Sequence, residues 1–185
     1  MKQKTNKSKK KNTWIWPLIV LILAISLSLS FSILSELVLS GSALLIAILV
    51  ILVFISIAII TDMLGLAVAS ANIEDFNAMA ARKVKGSKQA IALVRNADKV
   101  SSVLNDVIGD VCGILSGAAG ASIVTKIAID NAGNFMAILI PSLIAAIIAG
   151  LTIAGKALFK KVAIKHADTL TLAFAKFINF FTRKG

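Results

Sequence analysis

Two long charge-free apolar runs constrain this chain more than any other feature. Residues 12–35, between Lys11 and Glu36, and residues 37–61, between Glu36 and Asp62, contain 24 and 25 residues. A helix needs about 20 apolar residues to cross the hydrocarbon core of a bilayer. A third stretch, 100–125, is apolar and rich in small residues, broken only by Asp106 and Asp110, and a fourth, 131–155, runs without a charge from Asp130 to Lys156. The expected fold class is therefore an all-α integral membrane protein with four transmembrane helices arranged as two hairpins.

Composition agrees. Hydrophobic residues make up 58% of the 185, only 16% are charged, and the mean hydropathy is +0.91, far from the balance of a soluble domain. One Cys, one His and no Tyr exclude a disulfide framework, a Cys/His zinc site and His-based catalysis. Cys112 reads as a small buried apolar residue and His166 as a solvated one. No enzyme is expected and no resident cofactor.

The net charge of +11 raises nucleic-acid binding as an alternative, but Lys and Arg beside apolar spans more often set membrane orientation. They also test the span count. Six lie in 1–13, six in 66–101 and seven in 156–185, while only Lys126 falls on the other side. A split of 19 to 1 predicts both termini on the cytoplasmic side and makes the lipid bilayer, not nucleic acid, the expected partner. Abundant Lys, Ile and Asn, with no outer-membrane or organelle-targeting pattern, suggest a bacterial cytoplasmic membrane. A Lys-rich start before an apolar run is also how a secretory signal begins. Here the run exceeds the ~7 to 15 residues of a signal core and lacks an Ala-x-Ala site, so an uncleaved first helix is expected.

The resulting layout is a basic N-terminus (1–13), a first helix (14–38) and spans at about 43–66, 101–124 and 133–156, with short outer turns near 36–42 and 125–133. The long hydrophilic stretch 72–99 carries Ile73, Phe76, Met79 and Ala80, then Ala90, Ile91, Leu93 and Val94, at helical spacing around a break at Lys85-Gly86-Ser87. It reads as a cytoplasmic hairpin of two amphipathic helices against the inner membrane face. In the tail, 166–181, Leu170, Leu172, Phe174, Phe177, Ile178, Phe180 and Phe181 interleave with Lys176, which reads as an interfacial helix.

Carboxylates inside a membrane helix are costly and usually face a partner, a cavity or an ion path. Asp106 and Asp110 are four apart, hence on one face of the third span, with Asn105 beside them and Asp62 at the inner end of the second. Oxygen donors of this kind suit a hard cation such as magnesium. Pairing of Asp106 with Lys99 or Lys156 is the plainer alternative. Gly109, Gly113 and Gly117, at four-residue spacing, form a face for close helix packing, within the chain or across a homodimer.

The order of these features resembles a known family. The run Ala-Arg-Lys-Val-Lys-Gly-Ser-Lys-Gln-Ala-Ile-Ala-Leu-Val-Arg-Asn-Ala-Asp-Lys-Val (81–100), followed by Ser-Ser-Val-Leu-Asn-Asp-Val-Ile-Gly-Asp-Val-Cys-Gly-Ile-Leu (101–115), resembles the transmembrane domain of the cyclin M (CNNM) and CorB/CorC magnesium and cobalt transport proteins. The resemblance covers about residues 43–181. It implies a three-span domain with an outside N-terminus, to which the first helix here is an addition, and no counterpart of the family's CBS pair or C-terminal domain is expected in this sequence. It also implies a site for a dehydrated divalent cation near Thr61 and Asp62, near Asn105, Asp106, Gly109 and Asp110, and at Gly155-Lys156-Ala157-Leu158-Phe159-Lys160.

Three departures matter. The acidic residue of the family's first motif has only Asp62 as counterpart, its Asn cluster is partly Asp, and the Glu and Pro of its last motif become Lys156 and Phe159. A lysine in place of a ligand puts positive charge where the cation would sit. Two readings follow: a rearranged divalent-cation site modulated by Lys156, or a relative whose site Lys156 occupies, acting as a membrane adaptor for a partner. A small pore-forming or toxin-immunity protein is a third reading, carried by size, charge and hydropathy alone.

Overall fold

The computed structural model describes residues 15–39, 44–128 and 134–182. All the regular structure among them is helical: α1 (Ile15–Leu39), α2 (Leu44–Ser70), α3 (Ile73–Ala81), α4 (Ser87–Arg95), α5 (Ala97–Ser102), a π-helical segment (Val103–Gly109), α6 (Asp110–Ala128), α7 (Asn134–Lys165) and α8 (Ala167–Thr182). Four helical stretches are long and apolar enough to cross a membrane: Ile15–Leu37, Leu45–Ser70, Ala97–Ile123 and Ile138–Lys165. The third combines α5, the π segment and α6. The last continues nine residues past the expected boundary at 156, because the lysines at 160, 161 and 165 do not interrupt helix formation.

α2 is the central helix and packs against α6 and α7, as well as against the π segment, α5 and α8. Its inward stripe records an antiparallel register with the third span. Ala47 and Ile51 cluster with Ala119, and Phe54 and Ala58 with Cys112. Further along, Gly109 approaches Thr61 and Gly65 approaches Asn105. α1 lies outside this trio, packed on α6 and the π segment and touching α2 through a T-shaped Phe31–Phe54 contact at 5.9 Å. The Lys99 ammonium stands 5.1 Å from the ring centre of Trp16. That cation–π contact fixes the start of α1 at the same end of the bundle as the start of α5, here called the near end.

The glycine face of α6 packs within the chain. A Cβ on Gly113 would lie 3.6 Å from Thr152 Cγ2, one on Gly117 would lie 3.8 Å from the Ala145 carbonyl oxygen, and one on Gly120 would collide with Ile148 Cδ1. Small residues thus bring α6 close to α7. Hydroxyls along the spans are satisfied by their own helices: Ser30 donates to the Ser26 carbonyl, Ser56 to Leu52, Thr61 to Ile57, Ser116 to Gly113, Ser142 to Ile138 and Thr152 to Ile148. Bonds of this type close a hydroxyl's needs without water.

At the near end α3, α4 and α8 form a second, smaller core around Phe76, Ala90 and Ala175. Asn72 caps α3, its side chain accepting from Glu74 N at 3.1 Å, a standard N-cap bond. The hairpin and tail, which the sequence presents as separate amphipathic pieces, are joined by two hydrogen bonds. Asn72 N donates to Asp168 Oδ1 at 2.9 Å and Gln89 Nε2 to Asn179 Oδ1 at 2.8 Å.

Candidate functional site

Between α5 and α6 the third span carries a π segment, in which i→i+5 bonding inserts one extra residue into the helical register. Asp106 lies within the π segment and Asp110 directly follows it, and both are exposed. Such segments are frequent at functional positions.

Asp110 and Asp62 are brought together by one lysine. Lys156 Nζ donates to Asp110 Oδ1 at 2.7 Å and stands 4.0 Å from Asp62 Oδ1. Helix direction explains how the side chains reach each other. Every Cα–Cβ bond tilts toward its own helix N-terminus, and the third span and α7 run in opposite directions, so Asp110 leans toward the near end while Lys156 leans away from it. Asp110 lies about 20 Å from the start of α5 by helical rise.

The three groups differ in exposure. The Lys156 side chain is 18% exposed, Asp62 24% and Asp110 60%. Lys156 is thus largely enclosed, with one carboxylate partly enclosed and the other opening onto a cleft. That cleft, of about 300 Å³, lies between α6 and α7 and is lined by Asp110, Gly113, Ile114, Thr152, Ile153 and Lys156. With two carboxylates around one ammonium, the cluster is formally one positive charge short of neutral.

The remaining site candidates stand apart. Asn105 packs against α2, where its side chain occupies the space that a Cβ on Gly65 would need. Its Oδ1 is buried and has no hydrogen-bond partner, a condition that costs the desolvation of that atom. Asp106 is exposed. Gly109 is enclosed, with a Cβ there falling 3.1 Å from the Leu104 carbonyl oxygen and 3.3 Å from Thr61 Oγ1. Among the described residues no three His, Cys, Asp or Glu side chains form a group suited to a metal ion.

Sequence reasoning singled out Lys156 as a residue at odds with the resemblance and offered its occupation of the site as one of two readings; the structure places its ammonium against Asp110 and near Asp62. Sequence reasoning missed Gly65 entirely, although a glycine three residues after Asp62 on an otherwise bulky aliphatic helix is the visible signal of a close approach. In comparisons with known families, characterised proteins and solved structures, nothing matches this chain.

Proposed function

We propose that this chain is a multi-pass protein of the bacterial cytoplasmic membrane, built like a CNNM-type cation transport domain, in which Lys156 takes the place of the divalent cation. The observation that carries the reading is the Lys156 ammonium lying 2.7 Å from Asp110 and 4.0 Å from Asp62. A tethered ammonium supplies at that point the positive charge that two carboxylates in a low-dielectric span require. A magnesium ion needs the same oxygens together with retained water, and must displace the lysine to obtain them. In this reading the resting protein holds a closed polar cluster and acts as a non-transporting membrane relative.

Membrane insertion is supported by the four apolar helices and the internal satisfaction of their hydroxyls. Cytoplasmic placement of both ends is supported by the 19 to 1 distribution of basic residues and by the Lys99–Trp16 contact at the near end. The cleft beside Asp110 favours a second reading, in which Lys156 swings aside and the site passes a divalent cation.

Thermal stability of the purified full chain in detergent, titrated with magnesium, separates the two, since a ligand that binds only the folded state must raise its stability. With the site closed, wild type does not respond, Lys156→Gln gains a magnesium-dependent rise in Tm, and Lys156→Gln with Asp110→Asn loses it. A response of wild type that Asp110→Asn abolishes would overturn the closed-site reading in favour of transport.

A further inference from the structure

We propose that the α3–α4 turn and the outward face of α8 form a docking surface for anionic phospholipid headgroups. The inference rests on the membrane reading and adds a lipid specificity to it. Its first support is backbone geometry. α3 ends in a Schellman motif, with Lys83 N donating to the Ala80 carbonyl at 3.0 Å and Val84 N to the Met79 carbonyl at 3.0 Å. The motif demands a left-handed residue at the position that Lys83 occupies, with φ of 56°, where glycine is the usual choice. A lysine held in a glycine's conformation is a local cost that its charge can explain.

The second support is where the turn sits. Gly86, with φ of 89°, brings the backbone against α8, so closely that a Cβ would fall 2.9 Å from Lys176 Cγ and 3.4 Å from Lys176 N. Lys83, Lys85 and Lys88 are all exposed, as is Lys176 beside them. Arg82 belongs elsewhere, lining a groove with Asp75 and Asp168. Next to Lys176 on α8, Phe177 and Phe180 are 61% and 62% exposed, while Ala167, Thr171 and Ala175 face inward. Ammonium groups alongside outward phenyl rings match a bilayer interface, which accepts rings at its acyl boundary and cations at its phosphates. The unit also lies at the near end of the bundle, where spanning helices emerge.

The test uses the full chain in nanodiscs of phosphatidylcholine with and without phosphatidylglycerol, reading hydrogen exchange over 83–90 and 173–180. Phosphatidylglycerol should increase protection in both segments. Lys83→Gln/Lys85→Gln/Lys88→Gln should abolish that increase, and raising salt should weaken it. Lys83→Gly separates charge from structure, because it relieves the backbone and raises Tm, yet should weaken phosphatidylglycerol binding about fivefold. Equal protection in the two lipids, or a Lys83→Gly variant that keeps the full lipid effect, overturns the proposal. So does tighter binding of a short DNA duplex than of phosphatidylglycerol, which would assign the patch to nucleic acid. Failure of the chain to stay with membranes through alkaline carbonate extraction would instead remove the membrane reading itself.

Discussion

The four-helix bundle and the α3–α4–α8 unit differ in what they leave exposed: the bundle shows mostly large aliphatic side chains, whereas the small unit shows charged ones beside Phe177 and Phe180. In the bundle Leu21, Ile25 and Leu29 of α1, Leu45, Leu49 and Leu52 of α2, and Ile138, Leu143, Ile147 and Leu151 of α7 point outward, while Ala47, Ala58, Ser116 and Thr152 are buried. In the small unit Phe76 is fully enclosed, and Glu74, Asp75, Lys83, Lys85 and Lys88 are exposed. Large apolar side chains seek the interior only when water surrounds the fold. Where the surroundings are apolar, association relies on close backbone approach and polar contacts, and small residues take the interior. The contrast fits the proposed membrane placement, with a change of surroundings expected along the chain near Ser70.

The sharpest way to break this comparison is Phe76→Ala. Removing a fully buried aromatic from a packed core costs about 3–5 kcal/mol. Hydrogen exchange should rise over 73–95 and 167–182 while the bundle keeps its protection. Equal loss of protection in α2 and α6 would mean that the two regions unfold as one, and the division would fail.

In the bundle the corresponding stress is electrostatic. Lys156→Met leaves Asp62 and Asp110 without their cation, and breaking a buried pair costs about 3–5 kcal/mol, reduced here to roughly 2 kcal/mol because Asp110 is 60% exposed to its surroundings. Asp110→Leu added to Lys156→Met should recover most of the loss, with a coupling energy on the order of 1 kcal/mol in a double-mutant cycle. Additive losses would mean that the 2.7 Å contact carries no energy.

The close approach of α2 to the π segment gives the third test. Gly65→Ala drives a methyl group into the Asn105 carboxamide and should lower stability by about 1–3 kcal/mol, as overpacking does. Asn105→Ala should rescue it, because it removes both the obstruction and an unpartnered buried oxygen.

These tests fall where sequence reading stopped. The spans were legible because lipid-crossing helices need uninterrupted apolar length, and α1 and α2 begin and end within a few residues of the expected limits. The hairpin helices were legible from their periodicity, down to Phe76 and Ala90 as inward residues. The π segment was not, since one inserted residue leaves no compositional mark on 103–109. The Lys156 contacts were half legible. Its identity flagged a conflict with the resemblance, but its reach depends on the antiparallel placement of α6 and α7, which no local pattern encodes. The union of hairpin and tail through Asp168 and Asn179 depends likewise on contacts across some 90 residues of sequence.

The smallest expected effect compares two threonines, one in each region. Thr152 is buried in the bundle and donates to the Ile148 carbonyl at 2.8 Å, whereas Thr171 is buried in the small unit with its Oγ1 lacking a partner. Valine has nearly the same shape as threonine without the hydroxyl. At 152 the change removes a satisfied bond whose acceptor already serves the helix, and should cost about 0.5 kcal/mol. At 171 it removes a polar group that lost its water on folding and gained nothing in return, so Thr171→Val should stabilise the small unit by roughly 1 kcal/mol. Opposite signs in the local exchange of α7 and α8 would confirm that hydroxyls are tolerated in the bundle because their own helix satisfies them. A loss at 171 as large as at 152 would mean that the Thr171 hydroxyl finds a partner in solution, and the small unit would then be wetter inside than its enclosed Phe76 implies.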